Sequence, residues 1–177
     1  MTCIRTAYST DAPALASLIM QAMSTECCAY FYGPLHSEED FHLFLTQLAT
    51  RQDSQYSYQN ALVAIEEEQL VGAAVSYSGA SLHKLRKTFL DGMISVFDRD
   101  FSQIKNETQA GELYLDSLAV NSDFRHRGIA TKLINETVRK ARELSIPKVG
   151  LLVDDNNPRA LHLYTSLGFK FICLVLK

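Results

Sequence analysis

The segment that most constrains the fold is residues 112–143, where a strand, a basic loop and a helix follow one another. The stretch "ELYLDSLAV" (112–120) has the residue types and alternation of a β-strand. By strand parity, one face would carry Glu112, Tyr114, Asp116, Leu118 and Val120, and the other Leu113, Leu115, Ser117 and Ala119. The second set is almost wholly apolar and is therefore predicted to pack on a helix.

The loop after this strand has the features of an anion site. "FRHRG" (124–128) places three basic side chains directly before Gly128, and an amphipathic helix follows. A helix N-terminus offers free N–H groups and a partial positive charge, and a glycine lets an anion approach the backbone. Neither GxxxxGK[ST] nor GxGxxG occurs in the sequence. On this segment alone, a phosphate site and a basic turn that caps a helix are equally consistent with the pattern.

The remaining pattern predicts one mixed α/β domain. Further strands are predicted at 3–8, in two runs within 61–77, at 148–154 and at 169–177. Helices are predicted after the N-cap candidates Ser9–Asp11, after Ser37, and from Pro158 with Asn157 as its cap. Residues 80–110 show helical spacing at Leu82, Leu85, Phe89, Met93 and Val96, although Gly92 weakens that pattern. We interpret 80–110 as an inserted helix or a lid.

Composition limits the functional classes. The 177 residues suit a single domain, and a net charge of -3 with a pI near 5.9 argues against a general nucleic-acid binder. No apolar run approaches the roughly 18–20 residues that span a bilayer, and the N-terminus lacks a signal-peptide pattern, so the cytoplasm is the default expectation. The four cysteines form no CxxC pair and no metal-ligand spacing, so we expect buried, reduced thiols and no metal.

Two motifs resemble those of the GNAT superfamily of acyl-CoA N-acyltransferases. "LAVNSDFRHRGIATKLI" resembles motif A, Q/R-x-x-G-x-G/A, at Arg125, Gly128 and Ala130. "NPRALHLYTSLGF" resembles motif B, and the matching residues are Asn157, Ala160, Leu163, Tyr164, Gly168 and Phe169. The motifs cover about residues 112–170, and the element order extends the resemblance more loosely to 1–177. The resemblance implies a mostly antiparallel central sheet with a splayed parallel strand pair and helices on both faces.

The resemblance also implies acetyl-CoA as co-substrate and gives the cofactor contacts. The pyrophosphate would lie on the loop amides, and the pantetheine arm would pair with the backbone of the preceding strand. The implied cofactor-binding residues are Leu118, Ala119, Val120, Arg125, His126, Arg127, Gly128, Ile129, Ala130, Asn157 and Tyr164. The side chains of Arg125 and Arg127 either contact phosphate or only support the loop.

For the chemistry, the resemblance assigns Tyr164 the role of protonating the thiolate, with ordinary core packing as the alternative. The carbonyl donor would be a backbone N–H near Leu118. Asp116 and Glu112 are the candidate bases, since an acid in the middle of a sheet is costly to bury without a partner. Glu112 is nearer the start of the strand, where simple solvation is the alternative. His126 would lie at the pyrophosphate end, away from the chemistry.

The expected function is transfer of an acetyl group to a primary amine of a small molecule or peptide. A catalytically silent acyl-CoA-binding sensor or assembly module is the alternative, and a tRNA-directed acetyltransferase is disfavoured by the acidic pI. Acceptor selectivity is expected from residues 24–40 and 80–110. The family usually has two strands after motif B and this chain has one, so a homodimer near "FKFICLVLK" (169–177) is a further prediction.

Overall fold

The computed structural model of the protein describes residues 1–154 and 156–172. These residues form five strands and six α-helices. In chain order they are β1 (Cys3–Thr6), α1 (Ala12–Met23), α2 (Thr25–Tyr32), α3 (Glu38–Thr50), β2 (Ala61–Glu66), β3 (Gln69–Ser78), α4 (Leu82–Phe97), β4 (Glu112–Val120), α5 (Ile129–Glu143), β5 (Lys148–Leu151) and α6 (Pro158–Ser166). Within this part of the chain, no helix has the length and apolar character needed to cross a bilayer.

The strands form one mixed sheet in the order β1-β2-β3-β4-β5. The first three neighbouring pairs are antiparallel, and β4 pairs with β5 in parallel. The parallel pairing begins at Glu112 with Lys148 and ends at Leu115 with Leu151. Beyond that point, residues 116–120 of β4 have no strand partner on the β5 side among the described residues. The predicted mixed sheet with a parallel pair that separates is confirmed.

Helices cover both faces of the sheet, as predicted. Helices α1 to α4 bury one core, in which Leu15, Ile19, Phe41 and Leu45 are almost fully excluded from solvent. Helix α5 covers the other face, and α6 packs at the margin of that second core. The buried stripe of α5 consists of Ile129, Leu133, Ile134, Thr137 and Ala141. Each large apolar side chain buried in this way contributes about 1.5–3 kcal/mol, which fixes α5 beneath the loop that precedes it.

Capping residues predicted two of the helix starts correctly. The Ser37 hydroxyl accepts from the Asp40 amide, and the Asp40 carboxylate accepts from the Ser37 amide at 2.8 Å. Asn157 Oδ1 accepts from the Ala160 amide at 3.1 Å at the start of α6. Helix α2 was not predicted, because its eight residues show no clear apolar stripe. In the structure, Cys28 is the one residue of this helix that is fully buried.

Helix α4 occupies 82–97, where helical spacing predicted it. Gly92 is required at its contact with α3, because a Cβ there would lie 2.3 Å from the Phe44 ring. The glycine that weakened the helix prediction therefore allows the two helices to approach closely. The role of 80–110 as an insertion or lid, and the single domain over 1–177, stay predictions.

The predicted division of β4 into two faces is wrong at its centre. Val75 of β3 lies opposite Ser117 and the next residue lies opposite Leu115, so Asp116 is an extra residue in the ladder. This β-bulge reverses the alternation. Leu115, Leu118 and Val120 pack together in the core under α5, whereas Ala119 packs in the other core. Strict parity had put Leu115 with Ala119 and Asp116 with Leu118.

Two further strand predictions differ from the structure. Strand β5 is shorter than the predicted 148–154 and is half-buried to exposed, since no described strand flanks its outer edge. In the predicted strand 169–177, residues 169–172 adopt no regular structure. Residues 173–177, on which the homodimer prediction also depends, lie outside the described residues.

The prediction of buried thiols is right for Cys28 and wrong for Cys3. Cys28 is 3% exposed, and burial raises the pKa of its thiol to about 11. Cys3 lies at the start of the edge strand β1 and is exposed. Cys173 is among the residues that the structure does not describe.

Candidate active site

The loop between β4 and α5 presents a row of free backbone amides. Gly128 is the N-cap of α5 with φ +75°, and His126 also has a positive φ, +62°. The first bond of the helix joins the Lys132 amide to the Gly128 carbonyl at 3.1 Å. The amides of residues 126–130 donate to no described atom, and a Cβ on Gly128 would meet nothing within 4 Å. An accessible cluster of amides at a helix N-terminus can hold an anion such as a pyrophosphate.

The two arginines of this loop support it from within. Arg127 forms an ion pair with Glu66 at 3.0 Å, donates to the Asp123 carbonyl and lies over the Phe124 ring. Arg125 donates through Nε to the Val120 carbonyl at 3.0 Å. Of the two alternatives for these side chains, support of the loop is what the structure contains. Phosphate contact by either one stays a prediction.

The free edge of β4 points its backbone groups towards the gap beside β5. The Asn121 amide donates to the Val71 carbonyl of β3 at 2.8 Å. Because alternate residues of a strand point to opposite sides, Leu118 and Val120 direct their amides and carbonyls away from β3. The Val120 carbonyl already accepts from Gln21 at 2.8 Å and from Arg125. The two amides and the Leu118 carbonyl are thus placed to pair with an extended ligand.

Asp116 lies at the bulge, just beyond the point where β4 and β5 separate. Its carboxylate accepts from the Tyr77 hydroxyl at 2.9 Å, from the Ser117 hydroxyl at 2.9 Å and, weakly, from Gln55 Nε2 at 3.4 Å. Burial raises the pKa of Asp116 above its ordinary value, and these donors oppose the rise. A carboxylate with a raised pKa in a cleft is suited to accept a proton.

Glu112, the other candidate base, is engaged elsewhere. Its Oε1 accepts from the Thr108 hydroxyl at 2.7 Å and from the Gln109 amide at 3.0 Å. A Cβ on Gly150 would lie 2.7 Å from its Oε2, so the carboxylate covers that glycine. Glu112 therefore fastens the segment that leads into β4. Its role as a base stays a prediction that no contact in the structure favours.

Tyr164 lies on α6 against the core under α5, with its ring 5.8 Å from that of Phe169. Burial raises the pKa of its phenol, which therefore stays protonated at neutral pH. Its hydroxyl forms no hydrogen bond with any described residue. Asp116 lines the cavity on the face of the sheet covered by α1, α2 and α4, whereas Tyr164 packs on the opposite face, under α5. The free edge of β4 separates the two side chains. The structure does not bring the two side chains into contact.

A cavity of about 170 Å³ opens beside Asp116 on the face covered by α1, α2 and α4. The segments 24–40 and 80–110, from which selectivity was expected, supply Cys27, Phe31, Arg86, Phe89, Leu90, Ile104 and Glu107. The sequence did not identify Gln55, Arg86 or Glu107 as site residues. They belong to no motif, and the loop that carries Gln55 has no periodic pattern. The described residues contain no cluster of three or more His, Cys, Asp or Glu that could hold a metal.

Comparison with known proteins agrees with this geometry. Residues 20–169 match the Acetyltransferase (GNAT) family. The fold is similar to that of an acetyltransferase whose crystal structure is known. The TM-score is 0.77 at 28% sequence identity, and the match covers 97% of this chain and 90% of that chain. This chain is also similar in fold to an N-acetyltransferase from Staphylococcus aureus Mu50 (TM-score 0.76, 23% identity, 98% and 93% covered). A mycothiol acetyltransferase from Propionibacterium freudenreichii subsp. shermanii is 32% identical over 62 residues, which are 35% of this chain and 19% of that protein.

Proposed function

This chain belongs to the GNAT family of acetyltransferases, and we propose that it transfers the acetyl group of acetyl-CoA to a primary amine of a small molecule or peptide. The observation that carries the proposal is the bulge in β4. It places the Asp116 carboxylate at the point where the free strand edge meets the cavity. A thioester carbonyl bound along the edge and an amine bound in the cavity would then meet beside this carboxylate.

The co-substrate fits the free backbone groups of the chain. The amides of residues 126–130 would hold the pyrophosphate, with Ile129 and Ala130 in the first turn of α5. The backbones of Leu118 and Val120 would pair with the pantetheine arm, and Ala119 between them bonds towards β3. The Asn157 side chain caps α6 and so positions Tyr164.

The transfer needs a proton acceptor for the amine, a hydrogen-bond donor for the thioester carbonyl and a proton donor for the thiolate. Asp116 accepts a proton from the bound ammonium, which frees the nitrogen lone pair to attack the thioester carbon. The amide of Leu118 donates to the carbonyl oxygen as negative charge develops there. As the C–N bond forms and the C–S bond breaks, Tyr164 gives its proton to the leaving thiolate. The acylated nitrogen then loses its remaining extra proton, which restores the Tyr164 phenol through the solvent, and Asp116 releases its proton to water. The products are the N-acetyl amine, free coenzyme A and one proton released to water.

The test is thiol release from acetyl-CoA across a panel of amines, polyamines, amino acids and peptides, with the acetylated product identified by mass spectrometry. We expect amine-dependent thiol release that requires Asp116. Acetyl-CoA binding without turnover on any amine would instead favour the sensor or assembly module and would overturn the proposal.

A further inference from the structure

One residue that lines the cavity, Gln55, has a buried side-chain acceptor that no described residue satisfies. Gln55 is 4% exposed, and its Oε1 is the one buried side-chain oxygen without a hydrogen-bond partner among the described residues. Leaving such an atom unpaired costs about 1–3 kcal/mol. The same side chain lines the cavity and reaches towards Asp116 through Nε2. A ligand N–H in the cavity would supply the missing donor once the Gln55 amide turns its Oε1 towards the cavity.

The charges around the cavity also favour a cation. Two carboxylates, those of Asp116 and Glu107, line it together with one guanidinium, that of Arg86. Arg86 is 5% exposed, and its terminal nitrogens donate to Glu107 at 3.1 Å and to the Lys105 carbonyl at 3.2 Å. With both acids ionised the cavity has a net charge of -1. A bound ammonium would neutralise it, whereas a bound carboxylate would add a second uncompensated negative charge.

The charge of the guanidinium is already compensated within the protein. Each terminal nitrogen of Arg86 donates one hydrogen bond to a protein atom, and its charge is paired with Glu107. Burial, and next the charge of Asp116, raise the pKa of Glu107 above its ordinary value, while Arg86 opposes the rise. A bound carboxylate would have to share this single positive charge with Glu107, so its own buried negative charge would be left uncompensated.

Most of the remaining wall is apolar and encloses little space. Six apolar side chains, Ala22, Met23, Phe31, Phe89, Leu90 and Ile104, form most of it, and Cys27, Tyr56, Tyr114 and Ser117 complete it. A volume of about 170 Å³ suits a compact ligand. Apolar walls around a few convergent polar groups are typical of sites that orient a small molecule by one polar end.

On the basis of the function proposed above, we propose that the acceptor is a small primary amine with a compact apolar body and no carboxylate. Its ammonium is bound by Gln55 Oε1 and Asp116, and Glu107 with its partner Arg86 excludes the corresponding amino acids. Gln55 and Glu107 are thus specificity-determining residues, and Asp116 also accepts the proton.

Direct binding tests the proposal without requiring turnover. Calorimetric titrations would compare phenethylamine with phenylalanine, and isopentylamine with leucine, since each pair differs by the carboxylate alone. We expect each amine to bind at least about tenfold more tightly than its amino acid. Equal affinities, or tighter binding of the amino acid, would overturn the proposal.

Two variants assign the selectivity to named side chains. Glu107→Gln keeps the shape of the cavity and brings its net charge to zero, so the preference for the amine should fall about tenfold. Gln55→Met removes the acceptor and should weaken amine binding by a similar factor. Glu39→Gln is the matched control, because it removes an exposed charge on α3 outside the cavity. A folded Glu107→Gln protein with the wild-type preference would exclude the assigned role.

Thiol release with the same compounds separates this inference from the proposed function. Turnover on amino acids but not on their amines would refute the acceptor class while the acetyltransferase function stands. Selective amine binding with no turnover on any compound would refute the function and leave the assignment of the cavity intact.

Discussion

Replacing Asp116 by asparagine should leave the protein at least as stable as the wild type and nearly inactive. Asparagine keeps the oxygen that accepts from Ser117, and its amide nitrogen, in the place of Oδ2, can donate to the Tyr77 hydroxyl oxygen. The substitution also removes a carboxylate whose ionised form burial disfavours. The new amide nitrogen can also donate to the unpaired Gln55 Oε1 once the Gln55 amide has turned over. We therefore expect a free energy of unfolding at pH 7 at least equal to that of the wild type.

The pH dependence of this difference has a definite sign. Because the pKa of Asp116 is raised in the folded protein, the folded state binds more protons than the unfolded one above about pH 3.9, the ordinary value for aspartate. Wild-type stability is therefore lost as the pH rises from that value through the folded pKa, whereas the asparagine does not titrate. The advantage of the variant should grow over this window by about 1.4 kcal/mol for each unit by which the pKa is raised.

Turnover should change in the opposite direction. Loss of a positioned proton acceptor typically costs about 10²–10⁴-fold in rate. The variant would depend on amine deprotonated by the solvent, so its rate should rise about tenfold per pH unit up to the pKa of the free amine. The wild-type rate should level off once Asp116 is ionised. The two proteins therefore separate most widely at neutral pH.

Urea denaturation between pH 4 and pH 8 and thiol release between pH 6 and pH 10 measure both effects. The turnover assay uses an amine that proves to be a substrate in the panel of amines, amino acids and peptides. Acetyl-CoA affinity serves as the control, since Asp116 lies outside the loop of free amides at residues 126–130. A variant that is destabilised by more than about 1 kcal/mol would contradict the assigned cost of the buried carboxylate. Wild-type turnover at pH 7 would remove Asp116 from the mechanism.

Three other substitutions test separate parts of the structure. Gly128→Val should weaken acetyl-CoA binding at least about tenfold by calorimetry, because the side chain would block the free amides; Gly111→Val, also at a positive φ in open space, is the matched control and should bind normally. Tyr164→Phe should lower turnover about 10²-fold or more while affinity and stability are unchanged, because the hydroxyl forms no bond with the described residues; unaltered turnover would leave this tyrosine as core packing. Because burial lowers the pKa of Lys140 from 10.5 to about 8, the unfolded chain holds more protons between these values. The wild type should therefore gain about 3 kcal/mol relative to Lys140→Met as the pH rises from 8 to 10.5, and parallel denaturation curves would contradict this shift.

Local sequence signals predicted the parts of the fold that depend on neighbouring residues. Several elements are specified by residues close together in the sequence. They are the helix caps at Ser37 and Asn157, the strand, loop and helix at 112–143, and the helix at 82–97. The amide loop belongs to this group, because Gly128 and the amphipathic α5 are enough to expose it. The loop that we propose for the co-substrate could therefore be located from sequence, but the resemblance of two motifs, and not the loop alone, favoured an anion site over a turn that caps a helix.

The proposed acceptor end could not be located from sequence, because its residues are brought together by tertiary contacts. Gln55, Arg86, Glu107 and Asp116 come from four separate segments and meet only after α4 has packed over the sheet. No sequence pattern indicates that Gln55 Oε1 would have no described partner. Nor does any pattern indicate that Glu107 would pair with Arg86, which is 21 residues away. Acceptor selectivity was expected from residues 24–40 and 80–110, but this expectation did not indicate which side chains would face the cavity.

The β4 bulge explains why the wrong assignment of strand faces occurs at the proposed active site. Leu115 and Leu118 are three residues apart yet both pack under α5, which a regular strand cannot achieve because its faces alternate. One extra residue must lie between them, and Asp116 takes that position. The Tyr77 hydroxyl from β3 then offsets part of the cost of burying its carboxylate. The parallel pairing with β5 ends at Leu115, directly before this extra residue, so the free strand edge begins where the carboxylate lies. The two cores of the sheet therefore require the irregularity, and the same irregularity places an acid beside an edge that can bind an extended ligand.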